Sequence, residues 1–225
     1  MLQLLERDLK DSGMETEPAK MMFSEIERIE RLLKQLLMHS HPMPIKIQSF
    51  NLHELLDTVL SFERSSHPGL RFTAYYDASL PDIEADRDKL HQVFLNLVRN
   101  ASEACPADGR VRVLTRHCAH WELAGTNLDP TRRYILVSIE DEGPGIPEEL
   151  RKNIFKPLFS TKKQGTGLGL SISFRLVESH GGQLRYQPSE RSGACFQVIL
   201  PESQSEPLEE NSPNFVYQDL RKEIS

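Results

Sequence analysis

Residues 86–105 read DRDKLHQVFLNLVRNASEAC, and the rest of the chain is best understood outward from this stretch. Asp86 and Asp88 place negative charge where a helix would begin, and Pro106 would end that helix just after Cys105. The stretch predicts one amphipathic helix with a single buried face, because its apolar residues recur at spacings of three and four: Leu90, Val93, Phe94, Leu97, Val98 and Ala101.

Three carboxamide side chains follow this helix at intervals of four residues and share one stripe beside the apolar face: Gln92, Asn96 and Asn100. Two asparagines at the edge of a core need polar partners. Carboxamide oxygens at this spacing are suited to a hard divalent cation such as Mg²⁺, with phosphate oxygens and water completing its octahedron. Hydrogen bonds to nearby backbone would satisfy them equally well, and the helix alone leaves both interpretations open.

The composition is that of an ordinary globular protein of one or two domains, with 225 residues of which 38 % are hydrophobic and 27 % charged. A formal net charge of −6 argues against a nucleic-acid partner. The cysteines at positions 105, 118 and 195 show no metal-ligand spacing and fit a reducing, cytoplasmic compartment. No apolar run is long enough to span a bilayer and no signal peptide is recognisable, so we expect no membrane segment in this chain.

Three regions follow from the pattern. Residues 1–44 predict a helical hairpin and a proline-containing linker, with helices at 1–11 and 18–39. The apolar stripes of this hairpin need a partner, most simply the same hairpin of a second chain in a homodimer; the alternative is packing on its own domain. Residues 45–201 form the main domain, and the acidic segment 202–225 predicts a disordered tail.

Within the main domain, period-two and period-3.6 patterns predict alternating strands and helices. The predicted strands cover residues 45–50, 70–76, a short stretch around Ile83, 110–117, 133–140, 183–187 and 193–200. The predicted helices cover 52–66 with Asn51 as N-cap, 86–105, 148–154 and 168–180. We expect Trp121, in the loop 118–131, to pack locally rather than to serve as a ligand platform.

Two glycine-rich segments are weak signals when each is taken alone. DEGPGIP at 141–147 predicts a tight turn at the end of a strand. GTGLGL at 165–170 precedes a helix, where glycines let backbone N–H groups approach phosphate oxygens. Neither segment is a Walker A loop, which would need Gly-Lys-Ser/Thr, and the second lacks the strand that leads into a dinucleotide fingerprint.

The order of these segments is more specific than any one of them. The chain resembles the GHKL family of ATP-binding proteins, which comprises sensor histidine kinases, Hsp90-type chaperones, type II topoisomerase ATPase subunits and MutL-type repair proteins. NLVRNASEA at 96–104 is similar to the N box of that family, DEGPGIP and GTGLGL to its two glycine boxes, and IFKPLFSTK at 154–162 to the kinase F box. Within the kinases, the resemblance is greatest to nitrogen-regulation, NtrB-type enzymes, and it covers about residues 45–201.

The resemblance implies a fold and a function. The fold is the Bergerat ATP-binding fold, an α/β two-layer sandwich whose mixed sheet carries helices on one face, preceded by part of a dimerisation hairpin. The function is transfer of the γ-phosphate of ATP to a histidine, for relay to a response regulator. ATP and Mg²⁺ are the implied cofactors, and positioning with charge neutralisation would supply most of the catalysis.

Carried over to this sequence, the resemblance also implies roles for particular residues. Asn100 would bind magnesium with Asn96 beside it near the phosphates, and Asp141 would accept a hydrogen bond from the adenine amino group. Lys162 would be the cation near the γ-phosphate, with a solvated surface lysine as the alternative. The catalytic set is thus Asn96, Asn100 and Lys162, and the other implied ATP-binding residues are Gly143, Gly145, Thr161, Gly165, Thr166, Gly167, Leu168 and Gly169.

Two departures from the family pattern limit what the resemblance implies. Gln92 stands where the ATPase branches place a glutamate base, and a glutamine cannot take a proton from water, so rapid ATP hydrolysis is not expected. No histidine lies in a match to the H box His-Glu-x-x-Asn-Pro; His53-Glu54 lacks the Asn-Pro. We therefore expect that the chain begins just past its own H box, or that it phosphorylates a histidine on another polypeptide.

Two other functions remain open at this point. One is a nucleotide-binding regulator that heterodimerises with intact kinases without transferring phosphate. The other is an ATPase motor or clamp like the repair proteins, which would call for a glutamate at position 92.

Overall fold

The computed structural model describes residues 45–162, 165–189 and 193–203. The predicted hairpin of residues 1–44 and the predicted tail beyond residue 203 lie outside the described residues. In chain order the elements are β1 (Gln48–Phe50), α1 (Leu52–Ser66), β2 (Arg71–Tyr75), β3 (Ile83–Ala85), α2 (Arg87–Ala104), β4 (Arg110–His117), a 3₁₀ turn (His120–Leu123), β5 (Tyr134–Asp141), α3 (Glu148–Arg151), α4 (Gly169–Ser179), β6 (Gln183–Pro188) and β7 (Ala194–Pro201).

The strands form one mixed sheet and one small ribbon. The main sheet has five strands in the order β2-β4-β5-β7-β6, with β2 and β4 parallel and every other pair antiparallel. Strands β1 and β3 pair antiparallel in the ribbon. Helix α1 packs beside β2, α2 over β4 and β5, and α4 over β6 and β7. The predicted two-layer α/β architecture with a mixed sheet is confirmed.

Helix α2 forms where the sequence predicts it. The Asp86 carboxylate caps it by accepting a 3.1 Å hydrogen bond from the backbone N–H of Lys89, and Cys105 is its C-cap. The six predicted apolar residues are buried along one face of α2: Leu90, Val93, Phe94, Leu97, Val98 and Ala101. Because α1 and α4 flank α2, its buried face anchors the helical layer to the sheet.

The central strand β5 shows how the two faces of the sheet differ. Ile135, Val137 and Ile139 belong to the main core beneath the helices, because successive strand residues point to opposite faces. On the other face, Leu136 and Tyr134 join a smaller cluster. The chain between β4 and β5 covers that cluster and contributes Leu123, Cys118 and Leu128 to it.

The expectation that Trp121 packs locally is wrong. Trp121 is 80 % exposed, whereas Leu123, at the end of the same 3₁₀ turn, is 7 % exposed and packs in the smaller cluster. A four-residue turn can direct only part of its side chains inward, and a local pattern does not indicate which part.

The other predicted elements are confirmed with shifts at their ends. Strand β4 has its predicted bounds, and Asn51 caps α1 through bonds from the backbone N–H groups of His53 and Glu54. Helix α3 is shorter than predicted and ends at Arg151. Among the described residues, no helix is both long and apolar enough to cross a lipid bilayer.

A buried histidine joins the beginning of α2 to the end of α4. Nε2 of His180 accepts a 3.0 Å hydrogen bond from the backbone N–H of Asp86, and Nδ1 lies 2.7 Å from the carbonyl oxygen of Leu176. These contacts require a neutral ring with its proton on Nδ1. The relative position of the two helices that border the site below is therefore set from within the core.

Candidate nucleotide-binding site

A cleft of about 690 Å³ opens between α2, the turn after β5 and the chain that leads into α4. This size lies in the usual range for small-molecule sites. Part of its wall is apolar, formed by Ile146, Ile154, Phe159, Leu170 and Phe196. The structure brings ten of the predicted site residues to this one cleft: Asn96, Asn100, Asp141, Gly145, Thr161, Lys162, Gly165, Thr166, Gly167 and Gly169.

The remaining two predicted residues lie beside the cleft rather than on its wall. The backbone N–H of Gly143 donates a 2.8 Å hydrogen bond to the carboxylate of Asp141. A Cβ at position 143 would come within 2.7 Å of the carbonyl oxygen of Ala104, so only glycine allows the turn to approach the end of α2 this closely. Leu168 is fully buried at the N-cap position of α4, where it anchors the second glycine segment to the core.

Asp141 is the buried carboxylate of the cleft. It ends strand β5 with 2 % of its surface exposed, and its Oδ1 accepts hydrogen bonds from the N–H groups of Gly143 at 2.8 Å and Ala194 at 3.1 Å. Both bonds reach the same oxygen, so Oδ2 accepts none from the described residues. Burial raises the pKa of Asp141 above its usual value, although these N–H groups oppose the shift. Oδ2 is thus an acceptor that is held in place and receives no hydrogen bond from the part of the chain that the structure describes.

The two asparagines of α2 have different environments. Nδ2 of Asn96 donates a 2.9 Å hydrogen bond to Oγ of Ser173 on α4, and a Cβ at position 169 would overlap Oδ1 of Asn96. Asn96 therefore ties the two helices together at the edge of the cleft. Asn100, one turn further along α2, lines the cleft, and its side chain makes no hydrogen bond within the described part of the chain.

Asn100 is chemically suited to a divalent cation. Its carboxamide oxygen is a hard ligand of the type that Mg²⁺ takes when phosphate oxygens and water fill its other positions. In the described ranges, no group of three or more His, Cys, Asp or Glu side chains is placed to hold a metal ion. The carboxamide of Asn100, on the wall of the cleft, has the donor chemistry that such a cation takes.

The second glycine segment is shaped by one crowded contact. Gly167 has φ +67°, in the left-handed region, and a Cβ there would lie 2.7 Å from the backbone nitrogen of Phe159 and 2.8 Å from the carbonyl oxygen of Leu158. Leu158 is itself left-handed, with φ 64° and 61 % exposure. The segments 154–162 and 165–170 thus touch backbone to backbone at the cleft, which only a glycine at 167 permits.

Lys162 lies in the cleft but has a partner there. Its ammonium group donates to Oε2 of Glu103 on α2, and Oε1 of the same carboxylate accepts from Nε of Arg99 at 3.3 Å. Lys162 is also 44 % exposed, so it is a solvated lysine with an ion-pair partner, and its role near the γ-phosphate stays a prediction. Its neighbours Lys163 and Gln164 lie outside the described residues.

Sequence reasoning missed Arg99 and Glu103, both of which line the cleft. A signal for them was present, because each follows one of the asparagines, Asn96 or Asn100, by three residues and therefore lies on nearly the same side of α2. Gln92, by contrast, is exposed and is not part of the cleft wall, although it shares the spacing of the asparagines.

Comparison with known families identifies the class of this domain. The chain belongs to the family described as histidine kinase-, DNA gyrase B-, and HSP90-like ATPase, whose model matches residues 85–204. The predicted family is thereby confirmed.

Individual relatives narrow the resemblance within that family. The chain is 35 % identical over 202 residues to the sensory histidine kinase/phosphatase NtrB of Azospirillum brasilense, which covers 88 % of this chain and 50 % of that protein. The chain thus spans about half the length of the curated relatives it matches. The predicted resemblance to NtrB-type kinases is confirmed.

Solved structures show the same fold. The nucleotide-free catalytic domain of histidine kinase ThkA superposes with a TM-score of 0.60 at 32 % identity, covering 70 % of this chain and 97 % of that domain. ThkA in a complex with the response regulator protein TrrA gives a TM-score of 0.62 at 29 % identity, covering 89 % of this chain and 56 % of that one.

Proposed function

We propose that this chain binds ATP with Mg²⁺ in the cleft and transfers the γ-phosphate to a histidine side chain, for relay to a response regulator. The observation that carries the proposal is Asp141, a buried carboxylate with one oxygen fixed by two backbone N–H groups and the other oxygen without a described partner. An acceptor fixed in this way matches the amino group of adenine and opposes the carbonyl oxygen of guanine.

The rest of the cleft supplies surroundings suited to the other parts of ATP. The apolar wall formed by residues such as Ile146 and Phe196 suits a planar base. Thr161, Lys162 and Thr166 are exposed on the cleft and offer donors to phosphate oxygens. Bound Mg²⁺ would neutralise phosphate charge, and Asn100 is the residue that would hold it.

Transfer to a protein histidine, rather than hydrolysis, is supported by the residue at position 92. Gln92 is exposed, lies off the cleft wall and cannot accept a proton from water. The chain's contribution would be to hold the terminal phosphate and balance its charge while the nucleophile approaches. The relatives named sensory histidine kinase/phosphatase and the ThkA–TrrA complex support a histidine acceptor and a response regulator as partner.

The first test measures Mg²⁺-dependent ATP binding by calorimetry for the wild type, Asn100→Ala and Asp141→Asn. We expect Asp141→Asn to weaken binding by about 10- to 100-fold, because a hydrogen bond to a charged acceptor contributes roughly 1.5–3 kcal/mol. Asn100→Ala should abolish the gain in affinity that Mg²⁺ confers. Asn127→Ala, exposed in the β4–β5 loop and off the cleft wall, is the matched control and should bind like the wild type.

The second test asks whether the bound phosphate is transferred. The wild-type chain is incubated with γ-labelled ATP and a helical hairpin peptide that contains an intact H box. Label on the peptide histidine would support the proposed kinase activity. ATP binding without transfer would favour the alternative of a nucleotide-binding regulator, and binding of neither ATP nor adenosine would refute the proposal.

A further inference from the structure

Glu103 joins two cations at the edge of the cleft. Its Oε2 accepts a hydrogen bond from Nζ of Lys162, and its Oε1 accepts one from Nε of Arg99 at 3.3 Å. All three side chains line the cleft. Because Lys162 lies 59 residues further along the chain, this Glu103 bridge also ties the segment after Phe159 to helix α2.

The Glu103 bridge is charged and only partly shielded from water. The exposed fractions of its side chains are 38 % for Glu103, 44 % for Lys162 and 63 % for Arg99. Partial burial alone would raise the pKa of Glu103, but Lys162 and Arg99 lower it overall, so the carboxylate carries its charge at neutral pH. Ion pairs this exposed are weak, so a more highly charged anion can replace the Glu103 carboxylate as the partner of the two cations.

The backbone of Lys162 is held independently of its side chain. The Oγ of Ser160 accepts a 3.1 Å hydrogen bond from the backbone N–H of Lys162 and lies 3.3 Å from its carbonyl oxygen, to which it donates. Release of the ammonium group from Glu103 would therefore leave Lys162 at the cleft, free to turn to another anion. Arg99 lies one turn before Glu103 on α2, and its guanidinium could likewise leave Glu103 for another anion in the cleft.

We propose that Glu103 competes with the phosphates of the nucleotide for Lys162 and Arg99, and so determines how steeply nucleotide affinity rises with phosphate number. The inference rests on the proposed binding of ATP. A polyphosphate entering the cleft meets a fixed carboxylate whose two partner cations are already engaged. Binding must either separate these ion pairs or bring like charges together, and both lower the affinity.

The variant Glu103→Gln isolates this effect, because it removes the charge and keeps the shape of the side chain. We expect its Kd for Mg²⁺·ATP to be about two- to fivefold lower than that of the wild type, the factor corresponding to a partly exposed ion pair. The Kd for adenosine, which has no phosphate, should not change. The decrease in the Kd for ADP should be smaller than the decrease in the Kd for ATP. In a Lys162→Met background, Glu103→Gln should gain less, because one of the two released cations is gone.

Calorimetric titrations with adenosine, ADP and ATP, each with Mg²⁺, test the inference on the full chain. The matched control is Glu149→Gln on α3, which removes the same charge from an exposed residue off the cleft wall. Tighter ATP binding by Glu103→Gln alone, with adenosine unchanged, is the expected result.

Equal or weaker ATP binding by Glu103→Gln, while the wild type binds normally, would overturn this inference and leave the proposed function standing. The same gain in Glu149→Gln would also overturn it, because the effect would then be one of net charge. Absence of both ATP and adenosine binding by the wild type would refute the proposed function and this inference with it.

Discussion

Replacement of Gly167 by alanine is the perturbation whose effect the structure defines most sharply. An L-residue in the left-handed region costs about 1–2 kcal/mol. At this position the new Cβ would also lie 2.7 Å from the backbone nitrogen of Phe159, so the 158–159 backbone must move. Overpacking of this kind costs roughly a further 1–3 kcal/mol, which gives about 2–5 kcal/mol in total if the native contact is kept.

The variant could also relieve this crowding by a movement of the segment 154–162, and that movement would affect ATP binding. If the segment 154–162 moves away from Gly167, part of the stability is recovered but the cleft is widened. We therefore expect Gly167→Ala to lower the free energy of unfolding, to weaken ATP binding, or to do both. Urea denaturation and ATP calorimetry on the same preparation measure both quantities.

Gly125→Ala separates strain from crowding. Gly125 has φ +75°, close to that of Gly167, but a Cβ there meets no atom within 4 Å. This control should lose only the conformational cost of about 1–2 kcal/mol, which lowers Tm by roughly 2–4 °C per kcal/mol in a domain of this size. If the two variants lose equal stability and both bind ATP normally, the crowding of Gly167 against Leu158 has no consequence and the reasoning fails.

Three further predictions concern buried polar groups. Asp86→Ala should cost about 1–2 kcal/mol of unfolding free energy in denaturation, because its two carboxylate oxygens accept from the backbone N–H groups of Lys89 and Lys46. Asp86→Asn should recover only part of this loss, because its amide has one acceptor oxygen. Asn96→Ala and Ser173→Ala should each destabilise, and their double-mutant cycle should give a coupling of about 0.5–1.5 kcal/mol; additive effects would contradict the 2.9 Å bond. Burial raises the pKa of Asp141, so folding disfavours its carboxylate and the wild type loses stability as pH rises above about 4, the usual pKa of the unfolded chain. Asp141→Asn cannot lose this proton, so it should become more stable relative to the wild type as pH rises. Parallel curves of unfolding free energy against pH for the two proteins would contradict this.

The elements of the fold were predictable because each depends on residues close together in the chain. The apolar spacing in 86–105 predicts α2 within a residue at each end, and Asn51 caps α1 as expected. Burial, however, depends on what a strand or turn packs against. Leu123 is buried and Trp121 exposed within one 3₁₀ turn, and no local pattern distinguishes them.

The candidate site was predictable as a set of segments but not as a set of interactions. Helical spacing makes Asn96 and Asn100 equivalent, yet only Asn96 is within reach of Ser173 on α4, 77 residues away. Their difference follows from how α4 crosses α2, which a one-dimensional pattern does not contain.

Local patterns in the sequence were enough to predict the order of strands and helices and the segments that line the cleft, and the order of its motifs was enough to predict the family. Periodicity, capping and glycine placement act within a few residues and are therefore visible in one dimension. Three features were visible only in the folded chain: which oxygen of Asp141 is left without a described partner, which asparagine bonds α4, and the ion pair between Lys162 and Glu103. Each of these depends on distances between segments far apart in the chain, and such distances are set by packing of the whole core.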